Sequence, residues 1–371
     1  MLAPTKKSDV QIHHVRSDFA PEPKLRRSET HQPIARTAPP EADEPPLELD
    51  ETIIPVFFGT DRQATETRQG DLKFSGERSK RGEVTLGICS VSIPPMHRLG
   101  KLERPAWWKF WTSARRGEHV VLLSTTSLGA ATFFKELKKA VHQPKSAFVF
   151  IHGYNVAFDT AAMRTAQLAL DLQFPGAPIM FSWPSKGGVA NYPSDEGSNE
   201  WARPHLKQFL NQLRNRADAD QIHLIAHSMG SRALLSVLQE LSGGPKFEQL
   251  ILAAPDVDAG IFRQLALQLP ALSNRVTLYA SSTDKALALS KRIHEYARAG
   301  EAGENILVLK GLDTIDASTV DTDFLGHSTF AQERTLLTDI FNLITHGHEP
   351  ASRFGLTRKP HNGGYYWSFR S

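Results

Sequence analysis

A single cysteine, Cys89, stands in 371 residues, so no intrachain disulfide can form and no cysteine cluster can hold zinc. Folding then does not depend on an oxidising compartment. Long hydrophobic runs are also missing: nothing approaches the roughly 18 uninterrupted apolar residues of a membrane span, and no transmembrane segment is expected. Lys6 and Lys7 are followed by a mostly polar stretch, residues 8–14, where a secretory signal would need an apolar core. The expected location is cytoplasmic; export or membrane association would require a different start. An excess of one charge is absent as well, since 43 basic against 40 acidic residues leave a net charge of +3. That falls short of the concentrated basic surface that nucleic acid demands, and no nucleic-acid partner is expected. Oligomeric state is not legible.

What is present is a hydrophobic fraction of 40%, enough for a sizeable globular core. It is unevenly distributed. Residues 1–50 carry Pro21, Pro23, Pro39, Pro40, Pro45 and Pro46 among charges, with few aromatic or β-branched residues. Such a segment cannot bury enough surface to offset its ordering entropy and reads as a disordered arm. Order begins at Ile53–Phe58, followed by strand-like stretches at 82–93 and 119–124, and the three together read as an antiparallel N-terminal edge. Between them Trp107, Trp108, Phe110 and Trp111 form an aromatic cluster expected to pack on the domain body.

From Thr132 onward apolar strands alternate with amphipathic helices. Strands are expected at 148–151, 179–182, 222–226, 250–254, 276–280 and 306–309, with helices near 132–141, 160–172 and 204–216. Buried strands separated by helices predict an α/β fold, a mostly parallel sheet covered on both faces, over residues 51–346. Residues 347–371 mix Arg353, Arg358, Lys359 and Arg370 with Tyr365, Tyr366 and Trp367. They read as a loosely docked basic and aromatic tail.

The chain is organised around Ala226-His227-Ser228-Met229-Gly230. Ile222, Leu224 and Ile225 form a short buried strand; Leu234, Val237, Leu238 and Leu241 then recur at helical spacing. Ser228 therefore sits on a tight strand-to-helix turn, where small residues two before and two after let the two backbones approach. Ala226 and Gly230 meet that demand, alanine standing where glycine is usual. The plainer alternative is that Ser228 only caps the helix.

Function in a parallel sheet gathers at the carboxyl ends of strands. There stand His152-Gly153-Tyr154-Asn155, Trp183-Pro184, Ser228, Asp256 with Asp258, and Asp284; beyond the last strand comes Gly326-His327. Serine, acid, histidine is the chain order of a hydrolytic triad on such a sheet. Ser228 would attack an acyl carbon, His327 would carry the proton, and Asp284 would orient the imidazole, with Asp256 the rival acid. The N–H groups of Tyr154 and Met229 are the candidate oxyanion donors. His152, Gly153, Trp183 and Asp256 are candidate pocket residues. Each has an ordinary alternative: Asp284 could cap the helix starting at Lys285, and His327 could be a surface histidine.

Taken with the motifs at 57–62, 150–155, 181–185, 226–230, 254–258 and 326–328, the chain resembles the α/β-hydrolase superfamily, in particular a bacterial branch of uncharacterised esterase- or lipase-like proteins. The resemblance implies an α/β-hydrolase fold and a serine hydrolase that needs neither metal nor cofactor, acting on a small-molecule carboxylic ester. The alternative is a non-catalytic protein of the same fold that binds a ligand or partner.

Overall fold

The computed structural model describes residues 51–66, 72–104, 114–141, 144–188, 191–241, 243–320, 330–361 and 364–370. The expected arm, the aromatic cluster at 107–111 and His327 lie outside them. Among the described residues eleven strands join one sheet, and β2 (Arg62–Glu66) pairs with β3 (Leu72–Arg78) apart from it.

The middle of the large sheet is parallel. It runs in the order β13 (Gly364–Phe369), β11 (Asp313–Asp316), β10 (Ser273–Ala280), β9 (Phe247–Ala253), β8 (Gln221–His227), β6 (Ser146–Ile151), β7 (Ala177–Ser182), β1 (Thr52–Thr60). Antiparallel strands close both sides: β4 (Thr85–Ile93) and β5 (Val121–Leu128) beyond β1, and β12 (Leu356–His361) beyond β13. Of the three segments expected in the antiparallel N-terminal edge, β4 and β5 pair antiparallel, whereas β1 pairs antiparallel with β4 but parallel with β7.

Side chains alternate across a strand, which sorts the core into two faces. Val149, Ile151, Leu224 and Ala226 pack with Phe133 and Leu137 of α1 (Ala130–Ala140), Leu206 and Phe209 of α4 (Arg203–Arg216) and Leu234 of α5 (Gly230–Glu240). Phe148, Phe150, Ile225 and Ile251 face the other way, toward Leu168 of α2 (Phe158–Asp171) and Leu336, Ile340 and Leu343 of α9 (Phe330–His346). Each fully buried valine, leucine, isoleucine or phenylalanine among them contributes about 1.5–3 kcal/mol, so both faces must be covered. The result is three layers.

Two expectations need correction. Residues 306–309 form no strand; Ile306 and Leu307 are buried without joining a ladder, and the strand is Asp313–Asp316, next to β10. An apolar run marks burial, not pairing, and aspartates at both ends hide the true strand. The C-terminal tail is likewise built into the sheet. Leu356–His361 and Gly364–Phe369 form a hairpin whose inner strand pairs Ile315 with Trp367. Arg358 also lies over the Tyr365 ring, its guanidinium carbon 3.5 Å from the centroid, so the basic and aromatic residues serve each other.

After β1, β4 and β5 the chain crosses to the middle of the sheet at β6, steps to β7 on one side, then crosses to β8 on the other. Such a reversal separates the loops after β6 and β8, the usual place for a site on a sheet of this kind. Ile151 is paired with Ala226, so the residues that follow them, His152-Gly153 and His227-Ser228, emerge side by side.

Candidate active site

Ser228 closes β8 with φ of +48°, in the left-handed region that side chains other than glycine and asparagine avoid. The turn is held from both sides: Ser228 N–H donates to the Ala253 carbonyl at 3.0 Å, and its own carbonyl accepts from Ser231 N–H at 3.1 Å and Asp256 N–H at 3.2 Å. A Cβ at Gly230 would stand 2.4 Å from the His152 carbonyl, so only glycine fits there. Ala226 is fully buried in the core. Ser228 is 1% exposed, and its Oγ has no hydrogen-bond partner among the described residues. The cap alternative fails locally: the residue preceding α5 is Met229, and no side-chain cap bond is made.

Gly153 lies against this turn. A Cβ on it would meet Ser228 Cβ at 3.1 Å and His227 Nδ1 at 3.0 Å, so the loop after β6 covers the serine with backbone. His152 has its ring turned into the protein. It is buried, stacked on Trp183 at 5.1 Å between ring centroids, and its carbonyl accepts from Trp183 Nε1 at 2.8 Å. Burial, with the charge of Arg62 beside it, holds its pKa well below the ordinary value, so the ring is neutral. Trp183 is fully buried too and braces the loop rather than lining an open pocket. Tyr154 is half-buried and meets the Tyr192 ring edge-on at 5.3 Å.

The two acids stand in different surroundings. Asp256, after β9, is buried among donors: Arg298 Nε at 2.8 Å, Ser290 Oγ at 2.5 Å and the Tyr192 hydroxyl. Arg232, one turn into α5, donates to the Asp256 carbonyl at 3.4 Å and pairs with Glu196. Asp256 thus joins the loop after β9 to α3 (Tyr192–Trp201) and α8 (Lys285–His294). Asp284, after β10, is half-buried and caps α8, its Oδ1 accepting from Leu287 N–H at 2.9 Å.

Sequence reasoning missed the polar layer under the loop. Thr60 Oγ1 donates to the Ser182 carbonyl at 2.6 Å. Asp195, on α3, accepts from Ser185 Oγ at 2.5 Å, Lys186 N–H at 2.8 Å and Asn155 N–H at 3.3 Å. Arg62 lies fully buried beneath His152. The motif at 57–62 marked the place, but nothing in a lone Asp-Arg pair tells that its arginine turns inward.

The sheet order and the elbow-like turn at Ser228 define an α/β-hydrolase. Residues 129–346, more than half of the chain, match the model of a family described as "Alpha/beta hydrolase of unknown function (DUF900)", and the chain belongs to this family. It is similar to the uncharacterized protein alr1448 of Nostoc sp., 29% identical over 29% of this chain and 34% of that one. The match therefore spans about a third of that relative's length. Among solved structures, an acylaminoacyl peptidase of Pyrococcus horikoshii matches at 13% identity and a TM-score of 0.32, over 77% of this chain and 56% of that one.

Proposed function

We propose that this protein is a serine hydrolase of carboxylic esters that works through an acyl-enzyme. The observation that carries the reading is Ser228 in its left-handed turn, with the Gly153 backbone laid against it. A turn that costs about 1–3 kcal/mol and orders a buried hydroxyl is unexplained by folding alone. Ser228 Oγ attacks the ester carbon, and His327 takes its proton and passes it to the leaving alkoxide. The oxyanion is held by the N–H groups of Tyr154 and Met229, the latter beside the N-terminus of α5. Water then repeats the sequence against the acyl-enzyme, with His327 again the base. Asp284 orients His327. Asp256 is the weaker candidate because Arg298, Ser290 and Tyr192 already occupy its oxygens.

The test is a fluorophosphonate probe on the whole chain. Labelling that disappears in Ser228→Ala is expected; a folded protein that takes no label argues for the second reading, a ligand-binding protein of this fold. On that side stands the 1% exposure of Ser228. A series of p-nitrophenyl esters from acetyl to palmitoyl would define the acyl group, and turnover should survive dialysis against EDTA.

A further inference from the structure

Arg62 begins β2 with its side chain folded under the loop after β6 and its guanidinium fully buried. Among the described residues no carboxylate forms an ion pair with it, and all five of its N–H groups have acceptors instead. Nε donates to Ser182 Oγ at 2.9 Å; Nη1 to the carbonyls of Ser75 and Ser185, both at 3.2 Å; Nη2 to the Val156 carbonyl at 2.7 Å and to His152 Nε2 at 3.2 Å.

A guanidinium only donates. Burial brings its pKa down to about 10, so it stays charged at neutral pH, and His152 Nε2 must accept. Ser182 Oγ, already accepting from Arg62, has its own proton left for the same nitrogen at 3.1 Å. Two donors on Nε2 place the imidazole proton on Nδ1. That atom lies 2.7 Å from the Gly153 carbonyl, which can only accept. A trans peptide directs its C=O and N–H to opposite sides. Tying the Gly153 carbonyl to the ring therefore turns the Tyr154 N–H of the same peptide away from it, in a loop whose Gly153 is packed on Ser228.

We propose that Arg62 is a positioning residue that acts through the His152 tautomer to set the direction of the Tyr154 N–H. The assignment rests on the serine-hydrolase reading, in which that N–H is an oxyanion donor. Without the fork of Arg62 the ring can carry its proton on Nε2, the Gly153 carbonyl loses its donor, and the peptide is free to turn over. The charged and titratable groups around the pair are His227, facing His152, and Asp61, Asp159 and Asp195, acting on Arg62.

Two measurements test this. In the wild-type protein with ¹⁵N-labelled histidine, long-range ¹H–¹⁵N spectra should show His152, identified by its loss in His152→Gln, as the Nδ1–H tautomer and untitrated from about pH 5.5 to 8.5. An Nε2–H tautomer overturns the proposal, whatever the enzyme does. Arg62→Lys keeps the charge but not the fork; its phosphonylation rate and kcat should fall on the order of 10–100-fold while KM changes little. Ser182→Ala, a smaller change, should show a weaker drop of the same kind. Wild-type labelling at Ser228 with an unchanged rate in folded Arg62→Lys overturns the positioning role and leaves the hydrolase reading standing. No wild-type labelling at all removes the hydrolase reading instead.

Discussion

Ser228 holds a backbone conformation that glycine would adopt without strain. Ser228→Gly should relieve about 1–3 kcal/mol of strain and lose about 0.4–1 kcal/mol through a more flexible unfolded chain. No hydrogen bond of the hydroxyl is lost among the described residues. A net gain of about 1 kcal/mol, seen as a Tm higher by about 2 °C, is expected together with loss of probe labelling. A lower Tm would mean that the turn is not strained. The acids separate in the same way. Asp284→Asn should leave the melting transition near wild type and reduce kcat on the order of 10⁴-fold. Asp256→Asn should destabilise by about 3 kcal/mol, because it breaks a buried pair with Arg298. If Asp256→Asn melts normally and loses turnover while Asp284→Asn keeps it, the acid belongs to β9.

At the scale of elements, β8 carries a histidine in the interior of the sheet. His223 is fully buried, with Nε2 3.2 Å from Ser146 Oγ on β6, and burial lowers its pKa to about 4. The unfolded chain takes up a proton near pH 6.5 that the folded strand refuses until about pH 4. Stability is therefore full above pH 6.5 and falls as the pH drops toward 4, by on the order of 3 kcal/mol. A loop gives the opposite limb. His97 lies between Asp171 and Glu103, both at 2.8 Å; burial opposes its charge, but the two carboxylates prevail and raise its pKa to about 9. That contribution is complete below pH 6.5 and lost as the pH rises through 9. Urea unfolding from pH 4 to 10 should show both limbs, and His223→Leu should flatten only the acid one. The 3.6-residue period of α5 and the apolar run of β8 were readable from sequence. His223 within that run was not readable as a core residue, because a strand pattern does not say which polar side chain finds a partner on the next strand.

For the whole molecule, the two ends of the chain should behave differently. Deleting residues 2–49 should leave melting and labelling unchanged, since that composition offers little with which to pack. Deleting residues 348–371 should abolish cooperative unfolding near the wild-type Tm. It removes the β12–β13 hairpin and Arg353, whose buried Nη1 reaches Asp339 on α9 at 3.1 Å and the Tyr279 hydroxyl on β10 at 3.4 Å. Arg353→Met alone removes the cation from the buried Asp339 carboxylate, leaving it the Tyr279 hydroxyl at 2.7 Å, and should cost about 3 kcal/mol in chemical denaturation. Equal stability of Arg353→Met and wild type would mean the tail is not anchored there. Among the described residues no helix is long and apolar enough to cross a membrane.

The local pattern along the chain was sufficient for the alternation of strand and helix, the tight turn at Ser228 and the loop at Gly153, because each depends on neighbours within a few residues. Strand order, by contrast, depends on partners tens of residues away, as far as Phe57 with Ile179. Hydropathy could not tell that 306–309 is a buried loop, that Asp313–Asp316 is a strand, or that the basic and aromatic tail completes the sheet. Nor could it tell that Arg62 folds inward to meet His152, 90 residues later. Burying a guanidinium is unfavourable unless every donor is met, and its five acceptors come from three stretches of the chain, at 75, 152–156 and 182–185, which only the tertiary structure brings together.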